Sequence, residues 1–179
     1  MSKDIKIISL EDVADKVAEL KASGSRVVMC HGVFDLMHLG HICHFEQARA
    51  YGDALIVTIT PDKFVNKGVH RPVFTDQQRA ETIAALSVVD YVAINRWPTV
   101  EKTIGMIKPD IYCKGGEFKE LDGEFPVGLQ AELDEVENIG GRVEFTDENL
   151  FSSSNLINNH FSIFSPQTES WLGRFREQY

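Results

Sequence analysis

Five short apolar runs, at residues 26–30, 54–60, 91–94, 110–114 and 142–145, alternate with segments that read as helices, and this alternation leaves few folds open to the chain. Apart from Arg142-Val143-Glu144-Phe145, the runs are apolar at consecutive positions rather than at every second one. A strand of that kind is buried on both faces, whereas a sheet with one wet face alternates. Strands separated by helical segments build βαβ units and a parallel sheet. The expected fold is therefore α/β, a doubly wound parallel sheet covered by helices on both sides, with a helical extension at the C-terminus.

The helices carry their own punctuation. Ser9 begins an S-x-x-D start completed by Asp12, with Val13, Val17 and Leu20 as an apolar stripe and Gly24 at the end. A second helix is expected over 38–51, stopped by Gly52. Thr75 and Gln78 form a capping-box start for a helix running to about Leu86. Further helices are expected over 99–107, closed by Pro109, and over 127–139, with Pro126 near its first turn and Gly140-Gly141 beyond it. The serines at 152–154 open one more.

At 179 residues the chain is long enough for one domain with an ordinary core. We divide it into a main domain, 1–160, and a C-terminal helical extension, 161–179, readable as a linker to a further domain. No apolar stretch is long enough to span a bilayer, which argues against a membrane partner. The first residues lack a secretory apolar region, and three cysteines without framework spacing fit a reducing cytoplasm. Cys30 and Cys113 lie in apolar runs and read as small core residues. The net charge of −9 argues against nucleic acid as the main partner. It does not argue against a nucleotide, which needs only a local cluster of donors.

Chemistry concentrates where the first strand ends. Gly32 makes a turn, and a helix-like segment begins near His38. His38 and His41, three apart, are expected on one helix face, and Gly40 between them allows close approach to backbone. The first turn of a helix offers unpaired N–H groups and the positive end of its dipole, a natural phosphate site. Other notable residues lie after later strands: Asp62 and Lys67, then Lys114, Gly115 and Gly116, then Ser152, Ser153 and Ser154. In doubly wound sheets ligands bind beyond the carboxyl ends of the strands, so these positions converge. A structural zinc reading of His38, His41, Cys43 and His44 is disfavoured, because at about 100° per residue Cys43 and His44 turn away from the His38 face. His31 either approaches the ligand or caps the strand.

Gly32-Val33-Phe34-Asp35-Leu36-Met37-His38-Leu39-Gly40-His41 fills every fixed position of the pattern G-x-F-D-x-x-H-x-G-H. The chain thereby resembles the HxGH nucleotidyltransferases, the cytidylyltransferase-like superfamily, from about Arg26 to Ile157. Within it the nearest likeness is to the adenylyltransferase domain of the heptose-1-phosphate enzymes that make ADP-heptose. That likeness rests on 47–57, Lys67-Gly68, Arg71-Pro72-Val73, 89–92, Lys108-Pro109-Asp110, Lys114-Gly115-Gly116 and 152–157. Two segments depart from the heptose pattern: 117–126, with four acidic residues, and a shorter loop over 62–71. The extension resembles the lead into a sugar kinase domain.

The resemblance implies a Rossmann-like fold and transfer of a nucleoside monophosphate, AMP favoured, from a triphosphate to a phosphorylated sugar or polyol with release of pyrophosphate. It implies His38, His41 and Lys67 as catalytic residues. Imidazole N–H donors aimed at the equatorial oxygens of the reacting phosphorus would supply charge stabilisation without a covalent intermediate. It implies nucleotide binding by Gly32, Val33, Phe34, Asp35, Gly40, Lys114, Gly115, Gly116, Ser152, Ser153 and Ser154, and acceptor binding by Asp62 and Arg79. Plainer readings stand beside these: a capping carboxylate for Asp35, a turn residue for Asp62, an exposed charge for Arg79, a solvated loop residue for Lys67. Mg²⁺ is expected on the nucleotide, as no dedicated carboxylate cage is visible. The expected partners are ATP or CTP, the phosphorylated acceptor, a second copy of the chain, and a sugar kinase domain or subunit. The alternatives are a CTP-dependent enzyme acting on glycerol phosphate or a similar small phosphate, and a non-catalytic module that binds nucleotide or docks a kinase.

Overall fold

The computed structural model describes residues 3–68, 70–116, 126–147 and 167–168. The elements run α1 (Lys3–Lys6), α2 (Leu10–Ala22), β1 (Val27–Gly32), α3 (Leu39–Ala50), β2 (Ala54–Ile59), α4 (Asp76–Ala84), β3 (Tyr91–Ile94), α5 (Glu101–Ile107), β4 (Ile111–Lys114), α6 (Val127–Asn138) and β5 (Arg142–Phe145), with a short 3₁₀ turn over Asp62–Phe64. The five strands form one sheet in the order β3-β2-β1-β4-β5, and each neighbouring pair is parallel. The doubly wound α/β architecture is thus as expected. Strand order reverses between β1 and β4, which makes that crevice the switch point.

Side chains of β1 divide the core in two. Val28 and Cys30 face Phe45 and Ala48 of α3 and Ala80, Ile83 and Ala84 of α4. Val27 and Met29 face Leu10, Val13 and Val17 of α2, Ile104 and Ile107 of α5 and Val136 of α6. Successive strand residues point to opposite faces, so an all-apolar strand needs a helical layer on each side, and every residue of β2 is buried.

Local signals fixed the helix starts. Ser9 accepts a hydrogen bond from the Asp12 N–H, and Thr75 forms a capping box with Gln78. Two elements were not read from the sequence, α1 and the 3₁₀ turn. Helix α1 is anchored by the Lys6 ammonium, which donates to the carbonyls of Leu86 and Val89 beyond the end of α4. The strand expected over 26–30 runs on to Gly32, because His31 and Gly32 stay in register with Thr58 and Ile59. The helix expected from His38 begins at Leu39, with His38 as an extended N-cap (φ −144°, ψ 171°). The helix expected at 152–154 lies outside the described residues, as does the C-terminal extension apart from Gln167 and Thr168.

Candidate active site

The loop leaving β1 makes its turn through Phe34, whose φ is +48°. Its buried ring folds back over the strand end. A Cβ on Gly32 would lie 2.9 Å from Phe34 Cζ, so any side chain there would push the ring from its place. The Phe34 ring meets His41 edge-on, centroids 5.4 Å apart, and Phe45 at 5.0 Å. It is the floor on which the second histidine rests.

His38 and His41 do come together, though not as two residues of one helix turn. The His38 backbone is extended and its carbonyl receives the N–H groups of His41 and Ile42. The two imidazoles stack, with centroids 3.9 Å apart and planes 25° from parallel. Both nitrogens of His38 and Nδ1 of His41 are enclosed without a hydrogen-bond partner among the described residues. Enclosed polar atoms without partners are rare in folded proteins. Burial depresses the pKa of both rings, that of His41 to about 3, where the positive charges of a protonated His38 or His44 and of Lys67 add to the effect. Near neutral pH each ring is therefore neutral, with one N–H to donate. Lys67 is exposed on the loop after β2, close enough for its charge to be felt at His41.

Two further histidines fasten the surroundings. His31 Nδ1 lies 2.9 Å from the Thr58 hydroxyl and its Nε2 3.3 Å from that of Thr60, so both ring nitrogens tie β1 to β2. This favours the structural of its two readings. His44 Nδ1 lies 3.0 Å from the Thr146 hydroxyl at the end of β5. Burial is the main cause holding His31 at about 3 and His44 at about 4. A pH dependence follows. An unfolded histidine takes up its proton near the ordinary value of 6.5, whereas His31, His41 and His44 stay neutral in the fold to far lower pH. In that window the unfolded chain binds more protons. Stability is full above pH 6.5 and falls as the pH drops, by about 1 kcal/mol per pH unit for each histidine. Urea denaturation at pH 7.5 and pH 5 is expected to show a clearly lower midpoint at pH 5; equal midpoints would contradict the burial of these rings.

Asp35 is 3 % exposed. One oxygen accepts the N–H groups of Val73 and Phe74 at 2.8 and 3.1 Å, and the other accepts from Arg71 Nε at 2.7 Å. Its carboxylate pins the β2–α4 loop to the histidine motif rather than capping a helix. Arg71 has no expected role from the sequence, because its partner lies 36 positions away and leaves no local signal.

The two residues expected at the acceptor, Asp62 and Arg79, are paired with each other. Arg79 is 1 % exposed, neither a surface charge nor a group open to an incoming phosphate. Its guanidinium donates to the carbonyls of Phe74, Val33 and Thr60 and to the Asp62 carboxylate at 2.7 Å. The two residues hold each other, and with them the ends of β1 and β2. Lys114 also has protein partners: its ammonium donates to Glu132 at 2.8 Å, and the Tyr112 hydroxyl donates to the same oxygen. Gly115 and Gly116 follow at the β4 end, and Gly116 is buried. Ser152, Ser153 and Ser154 lie outside the described residues. Among those residues no three His, Cys, Asp or Glu side chains gather where they could hold a metal ion, and no helix is long and apolar enough to cross a membrane.

Comparison with known proteins agrees with this geometry. The bifunctional protein HldE of Geobacter metallireducens is 37 % identical over 143 residues, which is 79 % of this chain and 28 % of that protein. HldE of Koribacter versatilis is 35 % identical over 155 residues, 85 % of this chain and 30 % of its own. The chain thus spans under a third of the length of these relatives. A lipopolysaccharide core biosynthesis protein from Thermoplasma volcanium, known as a crystal structure, is 28 % identical with a TM-score of 0.57, covering 72 % of this chain and 100 % of that one. The pantoate–β-alanine ligase of Francisella tularensis shares the fold alone, at 14 % identity and a TM-score of 0.62 over 96 % of this chain and 77 % of its own. The Cytidylyltransferase-like sequence profile matches residues 29–159, from within β1 to past the end of β5. A profile spanning that much of the sheet, with the stacked histidines inside it, makes this chain a member of the cytidylyltransferase-like family.

Proposed function

We propose that this chain is a nucleotidyltransferase that moves AMP from ATP to the phosphate of a sugar phosphate, a heptose 1-phosphate first among candidates. An acceptor phosphate oxygen attacks the α-phosphorus, the bond to the bridging α–β oxygen breaks, and pyrophosphate leaves. The observation that carries this reading is the stacked pair of neutral imidazoles, in which both nitrogens of His38 and Nδ1 of His41 are enclosed without a hydrogen-bond partner among the described residues. Donors held in place before the substrate arrives need no reorganisation as charge develops on the equatorial oxygens. The choice of sugar and base follows the resemblance to the heptose-1-phosphate adenylyltransferases carried by 47–57, Lys67-Gly68, Lys114-Gly115-Gly116 and 152–157.

In this reading His38 and His41 donate to the reacting phosphate, and Lys67 reaches the departing pyrophosphate as a mobile point charge. The backbone of 32–34 and Gly40 borders the nucleotide, with Gly115, Gly116 and Lys114 on its far side and Ser152, Ser153 and Ser154 at its terminal phosphates. Asp35, Asp62 and Arg79 act indirectly by holding this loop in shape. The triphosphate's own oxygens carry Mg²⁺, which neutralises phosphate charge. A cytoplasmic setting, a dimer and a companion sugar kinase that makes the acceptor complete the proposal.

The test is pyrophosphate release with ATP and CTP, each with Mg²⁺, against a panel of sugar and polyol phosphates. Release is expected with ATP and a heptose 1-phosphate. Release only with CTP and a polyol phosphate would move the activity to the cytidylyltransferase side. Tight nucleotide binding with no release from any acceptor would leave a binding module.

A further inference from the structure

Outside the histidine pair, one more enclosed polar atom stands without a partner among the described residues, Nη2 of Arg71. The side chain is 7 % exposed and the Asp35 side chain that holds its Nε is 1 % exposed. A guanidinium is charged at every accessible pH and offers its donors in a rigid fork. Here one branch is fixed on a carboxylate and another N–H edge is left enclosed with nothing to bind. Asp35 takes three hydrogen bonds, so the arginine is held rather than swinging in solvent.

The position of this edge says which ligand it meets. Asp35 belongs to the loop after β1 and Arg71 to the loop after β2, so the pair lies on the β2 flank of the motif. Nucleotides in doubly wound sheets occupy the crevice where strand order reverses, here between β1 and β4. The β2 flank is the opposite side, left for the second substrate. Asp62 and Arg79, the sequence's candidates for that substrate, bind each other.

We propose that Arg71, oriented by Asp35, binds an oxygen of the acceptor's phosphate through Nη2 and so fixes the attacking group beside the histidine pair. The inference rests on the nucleotidyltransferase reading and names the acceptor subsite within it. A guanidinium suits this task because its charge-assisted hydrogen bonds to phosphate are directional.

The test is calorimetric binding to the full chain loaded with Mg²⁺ and a non-hydrolysable ATP analogue. The probes are a heptose 1-phosphate and inorganic phosphate. The variants are Arg71→Gln and Arg71→Lys; the latter keeps the charge for Asp35 but removes the fork. Wild type is expected to bind the sugar phosphate, and both variants to bind it about 10–100-fold more weakly, the range for a hydrogen bond between charged groups. Affinity for the ATP analogue is expected to stay within about twofold, and in steady state the loss to appear in KM for the acceptor, not for ATP. The proposal is overturned if wild type binds neither probe, if the variants bind them as wild type does, or if analogue affinity falls as far as acceptor affinity. A loss of fold would show separately in the thermal melt of each variant, and Arg71→Lys guards against it. The two readings fail separately. Normal pyrophosphate release with unaltered acceptor binding in the variants sinks the arginine site alone. Phosphate binding that depends on Arg71, with no release from any acceptor, sinks the catalytic reading and leaves the site.

Discussion

His41→Ala is expected to slow pyrophosphate release by about 10²–10³, the range for removing one preorganised donor from a developing oxyanion, with little change in the unfolding midpoint. The asymmetry comes from what the ring does when the site is empty. No hydrogen bond to Nδ1 is lost, because that atom has no partner among the described residues. What the fold loses is packing against Phe34 and His38. His38→Ala is expected to behave alike. Because the stacked rings act as a unit, the double variant should be little slower than either single one, as non-additive catalytic groups are. Rapid-quench turnover with matched thermal melts would measure both. A variant that turns over normally removes the histidine pair from the chemistry, and one that fails to fold makes the pair structural.

Arg79→Leu is expected to do the reverse, destabilising the fold by about 3 kcal/mol or more, since each buried acceptor left without its donor costs about 1–3 kcal/mol. The side chain supplies donors to three backbone carbonyls and to Asp62. Leucine fills part of the volume and satisfies none of them. Buried acceptors left without donors are costly, and Val33 O and Thr60 O sit at the ends of the two central strands. For a chain of this size the loss corresponds to roughly 10 °C or more in Tm. Urea unfolding of both variants would separate the roles: His41→Ala quiet in stability and slow in turnover, Arg79→Leu plainly unstable. A stable Arg79→Leu protein that bound acceptor poorly would restore the phosphate contact read from the sequence.

These contrasts follow the line between what a sequence displays and what it hides. Ser9 and Thr75 were legible because a cap's partner lies three residues away. The strands Tyr91–Ile94 and Arg142–Phe145 match the expected ranges because Asp90 and Asn95 bound the first and Gly140-Gly141 and Thr146 the second. His38 was placed inside a helix because spacing alone does not distinguish a first helical residue from an N-cap; extended backbone there decides it. The long-range partners were illegible. Arg79 looks like any charge early in a helix until Thr60 and Val33 are brought to it, 19 and 46 positions away. Lys114 gives no sign in the sequence of its partner Glu132, which α6 delivers from 18 positions away. Of the expected site residues the motif between Gly32 and His41 was visible because it is contiguous. The residues that hold it in shape come from distant strands and loops.

The segment between β2 and α4 is fastened at both feet. At one end Arg79 grips Thr60 and Asp62; at the other Asp35 grips Arg71, Val73 and Phe74. Lys67 sits on the arch between. A lysine on an untethered loop would have to give up the freedom of the whole segment each time a triphosphate arrived, and ordering on binding weakens affinity. A spanned arch has surrendered most of that freedom during folding. On the proposed reading, Lys67 would then meet the departing pyrophosphate without the rest of the loop having to find its place first.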